Sequence, residues 1–148
     1  MSLKETLAND LKTAMKEKDT IRKNTVQMVR AAILQVEKDQ KIVLDDADVI
    51  DVVARELKRR KDSLPDFIRS GRQDLVDNIN REIEVLSQYM PEPMPDNELE
   101  ELVRSTINEV GATTIRDIGK VMKVILPKVK GKADGSKVNS LIRRILES

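Results

Sequence analysis

The sequence has no histidine, cysteine or tryptophan, and only one phenylalanine and one tyrosine among its 148 residues. It therefore lacks the imidazole bases, thiolate nucleophiles and soft metal ligands of serine-triad hydrolases, cysteine proteases, thioredoxin-like enzymes and zinc fingers. Two aromatic side chains are also too few to stack successive bases of a single-stranded nucleic acid. We expect no cofactor and no metal, and any RNA would be held by charge and shape.

Long apolar runs are missing as well. No stretch approaches the roughly 20 residues of a membrane span, so we predict no membrane partner. Charged side chains at Lys4, Glu5, Asp10 and Lys12 fall where a secretory signal peptide is apolar, which, together with the absence of cysteine, favours a cytoplasmic protein. The chain nevertheless contains 14 Leu, 13 Ile and 15 Val and has a net charge of only +1, so it should fold.

Apolar side chains at helical spacing predict helices from the first residues onward. Ser2 and Glu5 form a capping box before a helix over about 3 to 18. Asp19 can cap a second helix, whose wide apolar face is typical of a central position. No segment shows the sustained alternation of a half-buried strand.

The next stretch predicts a third and a fourth helix. The acidic run at 45–48 places a cap and negative charge at a helix start. Pro65 should kink or interrupt this third helix, and Gly71 should end it in a left-handed cap. The fourth helix has the near-heptad spacing of a helix packed lengthwise against a neighbour, in Leu75, Ile79, Ile83, Leu86 and Met90.

Three prolines within 91–95 predict a stiff extended linker and the best domain boundary. Three helices should follow, capped by Asp96, Thr114 and Asp134, the second ending at Pro127. The predicted fold class is therefore all-α, with a four-helix subdomain over 1–90, a linker over 91–95 and a three-helix subdomain over 96–148.

Charge is distributed unevenly along the carboxyl-terminal third. Residues 96–115 hold one basic and five acidic side chains, a net charge of −4, whereas residues 116–148 hold nine basic and three acidic ones, a net charge of +6. Two helix ends joined by a glycine-containing turn, with lysines around it, can bind phosphates through charge and through free backbone amides. The alternative is a solvated face. The candidate phosphate-binding residues are Arg116, Lys120, Lys123, Lys128, Lys130, Lys132 and Lys137.

Two other charged runs are better explained by local structure. Consecutive side chains of the basic run at 55–61 are distributed around the whole circumference of a helix, so they do not form one basic face. Asp51–Arg55 and Glu56–Arg60 also have the i, i+4 spacing of ion pairs that stabilise a helix. The acidic run at 45–48 lacks the glycine turn and terminal glutamate of a calcium loop, so we interpret it as a helix cap. Gly119 interrupts the sixth helix and suggests close approach by another backbone.

Four segments together resemble the GatB/YqeY family. They are 117–123 (Asp-Ile-Gly-Lys-Val-Met-Lys), 127–135 (Pro-Lys-Val-Lys-Gly-Lys-Ala-Asp-Gly) with Val138 and Asn139 after it, 70–75 (Ser-Gly-Arg-Gln-Asp-Leu) and 86–91 (Leu-Ser-Gln-Tyr-Met-Pro). The resemblance extends over nearly the whole chain, and Gly135 departs from it, since proline is frequent there in the family. GatB is the tRNA-binding subunit of the glutamine-dependent tRNA amidotransferase, and the likeness is to its carboxyl-terminal helical and tail regions.

The resemblance implies an all-α protein with a small tail that contacts tRNA or another structured RNA. It implies an accessory role in tRNA amidation, with a protein partner in tRNA aminoacylation or amidation. The phosphorylating and glutaminase parts of that machinery are absent from this chain, so we expect no enzyme activity of its own. Within the matching segments, Gly119, Gly131 and Asp134 are expected to be structural, as a helix contact, a positive-φ turn and a helix cap.

A different function class remains open at this point. The chain would be a protein-interaction adaptor without a nucleic-acid role if the seam of Leu75, Ile79, Ile83 and Leu86, or a groove between subdomains, held another protein. Such binding would tolerate salt, whereas a phosphate grip would weaken steeply with it.

Overall fold

The structure, a computed structural model, describes residues 1–147 and confirms the all-α prediction. Across these residues it has seven α-helices, one 3₁₀ turn at Ile115–Asp117 and no strand. The helices are α1 (Leu3–Lys16), α2 (Thr20–Gln40), α3 (Asp46–Arg69), α4 (Gln73–Ser87), α5 (Asp96–Val110), α6 (Ile118–Val129) and α7 (Gly135–Glu147). No helix in this described part is long and apolar enough to cross a membrane.

The chain forms two compact units, residues 1–90 and the residues from 91 onward. The first unit contains α1 to α4 around an aliphatic core that includes Leu7, Val26, Val53 and Leu86, all with no exposed side-chain surface. Burying one such side chain stabilises the fold by about 1.5 to 3 kcal/mol. The wide apolar face predicted for the second helix is confirmed, because α2 contacts α1, α3 and α4.

Side chains cap the first three helices as their sequences predicted. Ser2 Oγ accepts from the amide of Glu5 at 3.2 Å, and Asp19 Oδ1 accepts from the amide of Arg22 at 3.2 Å. Asp45 Oδ1 accepts from the Asp48 amide at 2.9 Å within a reciprocal capping box. These bonds satisfy amides that the first helical turn leaves without partners.

Pro65 does not interrupt α3, so of the two predicted outcomes the interruption is wrong and the kink stays a prediction. The helix is continuous from Asp46 to Arg69, and the proline costs it the amide that would donate to Lys61. The long apolar stripe of α3 against α2 and α4 compensates for this loss. Gly71 follows the helix at φ +74°, the left-handed conformation expected of it.

The second unit packs α5, α6 and α7 around a core of its own. That core includes Leu99, Val103, Val121, Ile125 and Ile142, each with no exposed surface. The amphipathic α7 contributes Val138 and Ile142 from one face.

The segment 91–95 is neither helix nor strand. The amide of Met94 donates to the carbonyl of Lys132 at 2.8 Å, and the Met94 side chain packs on the second core. This segment is therefore tied to the turn between α6 and α7. Its predicted role as a linker stays a prediction.

Two predicted helix ends in the second unit are wrong. Pro95, not Asp96, is the residue before α5, so Asp96 lies in the first turn and caps nothing with its side chain. α6 continues through Pro127 to Val129, because a proline in a last turn removes only one intrahelical bond. Gly111 does end α5, at φ +69°.

Candidate phosphate-binding surface

A basic ridge runs along the exposed side of α6. It is formed by Arg116 in the 3₁₀ turn and by Lys120 and Lys123 on the helix, all three exposed. Their i, i+4, i+7 spacing puts them on one face, while Val121 and Ile125 fill the core from the opposite one. Because the apolar face is fixed in the core, the ridge is held toward solvent.

The ridge is weakly neutralised. Lys120 Nζ lies 4.0 Å from Asp117 Oδ1, and this lysine side chain is 71% exposed. Within residues 1–147, no carboxylate lies within 4.0 Å of Arg116 or Lys123. Exposed charges without partners remain available to an anionic ligand.

Asp117 fixes the start of the ridge. Its Oδ2 accepts from the amides of Thr113 at 2.9 Å and Thr114 at 3.3 Å. These two bonds, with a smaller contribution from Lys120, lower the pKa of the Asp117 carboxyl. A carboxylate on the residue that precedes α6 also suits the positive end of the helix, so the loop enters α6 in a defined geometry.

The turn between α6 and α7 has the predicted glycine geometry but fewer free amides than expected. Gly131 has φ +77°, and Lys130 and Lys132 are exposed around it. The amides of Lys132 and Ala133 already donate to the Val129 carbonyl, at 2.8 and 3.1 Å. An anion at this turn would therefore be bound by lysine side chains more than by backbone amides.

Asp134 occupies the capping position expected for it. Its Oδ1 accepts from the amide of Ser136 at 3.1 Å, and its carbonyl accepts from the amide of Val138 at 3.0 Å. The residue therefore precedes α7 and satisfies amides of its first turn.

Two of the candidate lysines form ion pairs with acidic residues of α5. Lys128 Nζ lies 3.7 Å from Glu109 Oε2, and Lys137 pairs with Asp96. Arg144 of α7 likewise lies 3.8 Å from Glu100. The basic end is therefore not a uniform positive face, because the acidic helix beside it neutralises one flank.

Gly119 does not lie against another backbone, which corrects the expectation for this residue. It is the second residue of α6, is exposed, and has no atom within 4 Å of the position that a Cβ would take. The sixth helix begins later than predicted, so this glycine is in its first turn instead of its middle.

The basic run at 55–61 is largely structural, as interpreted, but one member is unexpectedly buried. Arg60 is 7% exposed and donates to Glu56 Oε2 at 3.1 Å and to Glu82 Oε1 at 3.3 Å. Lys58 and Asp62 form an exposed i, i+4 pair at 3.3 Å. The i, i+4 pattern identified the Glu56 pair, but nothing local identified Glu82, which is 22 residues away.

The acidic run at 45–48 forms the α3 cap described above. No group of three or more metal-binding side chains occurs within the described 147 residues. The predicted seam of α4 is used inside the first unit: Ile79 and Leu86 are buried, and Ile83 packs against the first core. These features leave the basic ridge as the best candidate site.

Family comparison agrees with the sequence resemblance. The YqeY family, described as Yqey-like protein, matches residues 4–146. The chain belongs to the YqeY family. The match covers the ridge, the glycine turn and the α7 cap together. The likeness to GatB within the wider group remains a prediction.

Several fungal relatives have the name altered inheritance of mitochondria protein 41, mitochondrial. The protein from Pyrenophora tritici-repentis is 28% identical over 143 residues, covering 95% of this chain and 78% of the relative. The Kluyveromyces lactis protein is 40% identical over 84 residues, 56% of this chain and 45% of the relative. The Candida glabrata protein is 34% identical over 99 residues, which cover 66% of this chain and 54% of the relative. These last two alignments span about half the length of the relatives.

The relatives correct one prediction. They are named as mitochondrial proteins, so by this comparison the prediction of a cytoplasmic protein is wrong. The error has a physical origin. Charged residues at the amino terminus argue only against the apolar centre of a secretory signal and do not identify a compartment.

Proposed function

We propose that this YqeY-family protein binds tRNA, or another structured RNA, through the phosphate backbone. The observation that supports this most directly is the basic ridge of Arg116, Lys120 and Lys123, which is exposed, fixed in direction and neutralised only by a 4.0 Å contact. Lys130 and Lys132 extend the positive surface beyond α6. Such a ridge contacts phosphates without reading bases.

The proposal assigns binding and no catalysis to the chain. A positive surface on a rigid helix positions an RNA for another protein's chemistry, and glutamine-dependent tRNA amidation is the reaction that the GatB-like tail suggests. An accessory role of this kind requires a protein partner in tRNA aminoacylation or amidation.

The test is a titration of bulk deacylated tRNA, and of an unrelated structured RNA of equal length, at low salt. The ridge variant is Arg116→Gln/Lys120→Gln/Lys123→Gln. We expect wild type to bind both RNAs with similar affinity, since phosphates are common to both, and the ridge variant to bind at least about tenfold more weakly.

A charge-matched control separates the ridge from net charge. Lys12→Gln/Lys16→Gln/Lys38→Gln removes three exposed lysines from the first unit. We expect this control to retain most of the affinity. Equal weakening in the two variants, or no binding by helical wild-type protein, would overturn the proposal and favour a protein-interaction adaptor.

A further inference from the structure

A cleft of about 400 Å³ lies between α5 and α7. Leu99 and Leu141 form part of its lining, and its rim holds two carboxylates and two cations. Its volume is within the range of small-molecule pockets. The charged residues are Asp96 and Glu100 from α5 and Lys137 and Arg144 from α7.

The rim charges form ion pairs across the cleft. Lys137 pairs with Asp96, and Arg144 Nη2 lies 3.8 Å from Glu100 Oε1. Lys137 and Arg144 are seven residues apart, so they share one face of α7. Glu100 also accepts from Arg104 at 3.0 Å on its own helix.

These pairs are exposed and therefore weak. The side chains of Lys137 and Asp96 are 55% and 82% exposed, and those of Arg144 and Glu100 are 69% and 40% exposed. Exposed ion pairs in such settings are readily exchanged for other partners, because water screens them and each long side chain loses rotamer freedom when paired. A phosphate group can take the place of either carboxylate, since both bind the same cations with the same donors.

We infer that the α5–α7 cleft is a second phosphate-binding site, in which Asp96 and Glu100 occupy the cations Lys137 and Arg144 until a polyanion displaces them. The inference rests on the proposed function and extends it, because it adds Arg144 to the site and gives the acidic helix a role. A single phosphate competes poorly with two tethered carboxylates, whereas an RNA already held on the basic ridge presents further phosphates at high local concentration. The acidic helix therefore selects for multivalent anions.

The test compares two variants with the same change in charge. Asp96→Asn/Glu100→Gln removes both carboxylates from the cleft, and Glu98→Gln/Glu101→Gln removes two exposed carboxylates of α5 that line no part of it. We expect the cleft variant to bind tRNA at least about threefold more tightly than the control variant, because it frees Lys137 and Arg144 and, with them, Arg104 of α5. The slope of log K against log salt should stay nearly the same in the two variants, because Lys137 and Arg144 contact phosphates in both complexes and only the competing carboxylates are removed.

A second probe keeps this test separate from that of RNA binding. Tripolyphosphate is titrated into both variants and wild type, with the backbone amide shifts of residues 137 and 144 as the readout. We expect saturable shifts in the cleft variant at concentrations that leave wild type unchanged. Shifts with tripolyphosphate but no tRNA binding would retain the cleft site and reject the RNA function. Equal tRNA affinity in the two variants, together with no tripolyphosphate shift, would overturn the inference even if wild type binds tRNA.

Discussion

The Nε atom of Arg60, on α3, lies 3.3 Å from Oε1 of Glu82, on α4, and the arginine side chain is only 8% exposed. The same guanidinium donates to the carboxylate of Glu56 at 3.1 Å. One buried cation therefore joins two long helices of the first unit and satisfies a buried carboxylate. Charges taken out of water are tolerated only with such partners.

Arg60→Ala should destabilise the protein by about 3 kcal/mol, because it leaves Glu56 buried without its main cation. Urea unfolding followed by circular dichroism measures the change. Arg59→Ala is the matched control, since Arg59 contacts the same Glu56 at 3.7 Å but is 78% exposed, and it should cost less than about 1 kcal/mol. Similar costs for the two variants would show that the buried network contributes little.

Tyr89 provides a test against pH. Its ring is buried and its hydroxyl donates to Asp10, and burial first, then this bond, raise the pKa of Tyr89 above the ordinary 10.0. The unfolded chain then releases the phenolic proton at lower pH than the folded one. The contribution of Tyr89 to the free energy of unfolding is therefore fully present below pH 10 and is lost as the pH rises beyond it.

Because Tyr89 is the only tyrosine and tryptophan is absent, near-ultraviolet absorbance reports this one phenol directly. We expect phenolate to form only together with loss of helical circular dichroism. Tyr89→Phe should lower stability at neutral pH by about 1 to 2 kcal/mol, since Asp10 loses a donor, and should reduce the decline in stability at alkaline pH. Phenolate formation near pH 10 in a fully helical protein would contradict this account.

Two glycines of the second unit should respond in opposite directions to alanine. Gly119→Ala should stabilise by about 0.5 to 1 kcal/mol, since the site is helical and a methyl group meets nothing within 4 Å. Gly131→Ala should destabilise by about 1 to 2 kcal/mol, because φ is +77° there. Thermal unfolding of both variants measures this, and a destabilising Gly119→Ala would reinstate the close contact that the sequence suggested.

The sequence predicts most of the fold because the signals that begin and end its helices are local and tertiary packing does not oppose them. The caps at Ser2, Asp19 and Asp45 and the end of α5 at Gly111 each depend on a side chain or glycine acting within a few residues. Pro65 does not interrupt α3 because its local cost of one hydrogen bond is outweighed by packing along the rest of a 24-residue helix. Pro127 is tolerated for a different reason, since it lies in the last turn of α6.

The candidate site is less predictable, because its charge depends on tertiary neighbours. The spacing of Arg116, Lys120 and Lys123 identifies one helix face correctly. It gives no indication that Lys137 and Lys128 meet Asp96 and Glu109, which are 41 and 19 residues away in the chain. The −4 charge of residues 96–115 was the available signal, but the pairing required the packed helices.

The most direct test of the central claim is the salt dependence of tRNA binding by wild type and by the Arg116→Gln/Lys120→Gln/Lys123→Gln variant. If the three ridge cations bind the phosphate backbone of the RNA, the logarithm of the association constant K should fall linearly with the logarithm of the salt concentration. The variant's slope should be shallower by about 2 to 3, at a per-contact factor of roughly 0.7 to 0.9. The Lys12→Gln/Lys16→Gln/Lys38→Gln control should keep the wild-type slope. Equal slopes in wild type and ridge variant would contradict the claim that α6 holds the phosphates.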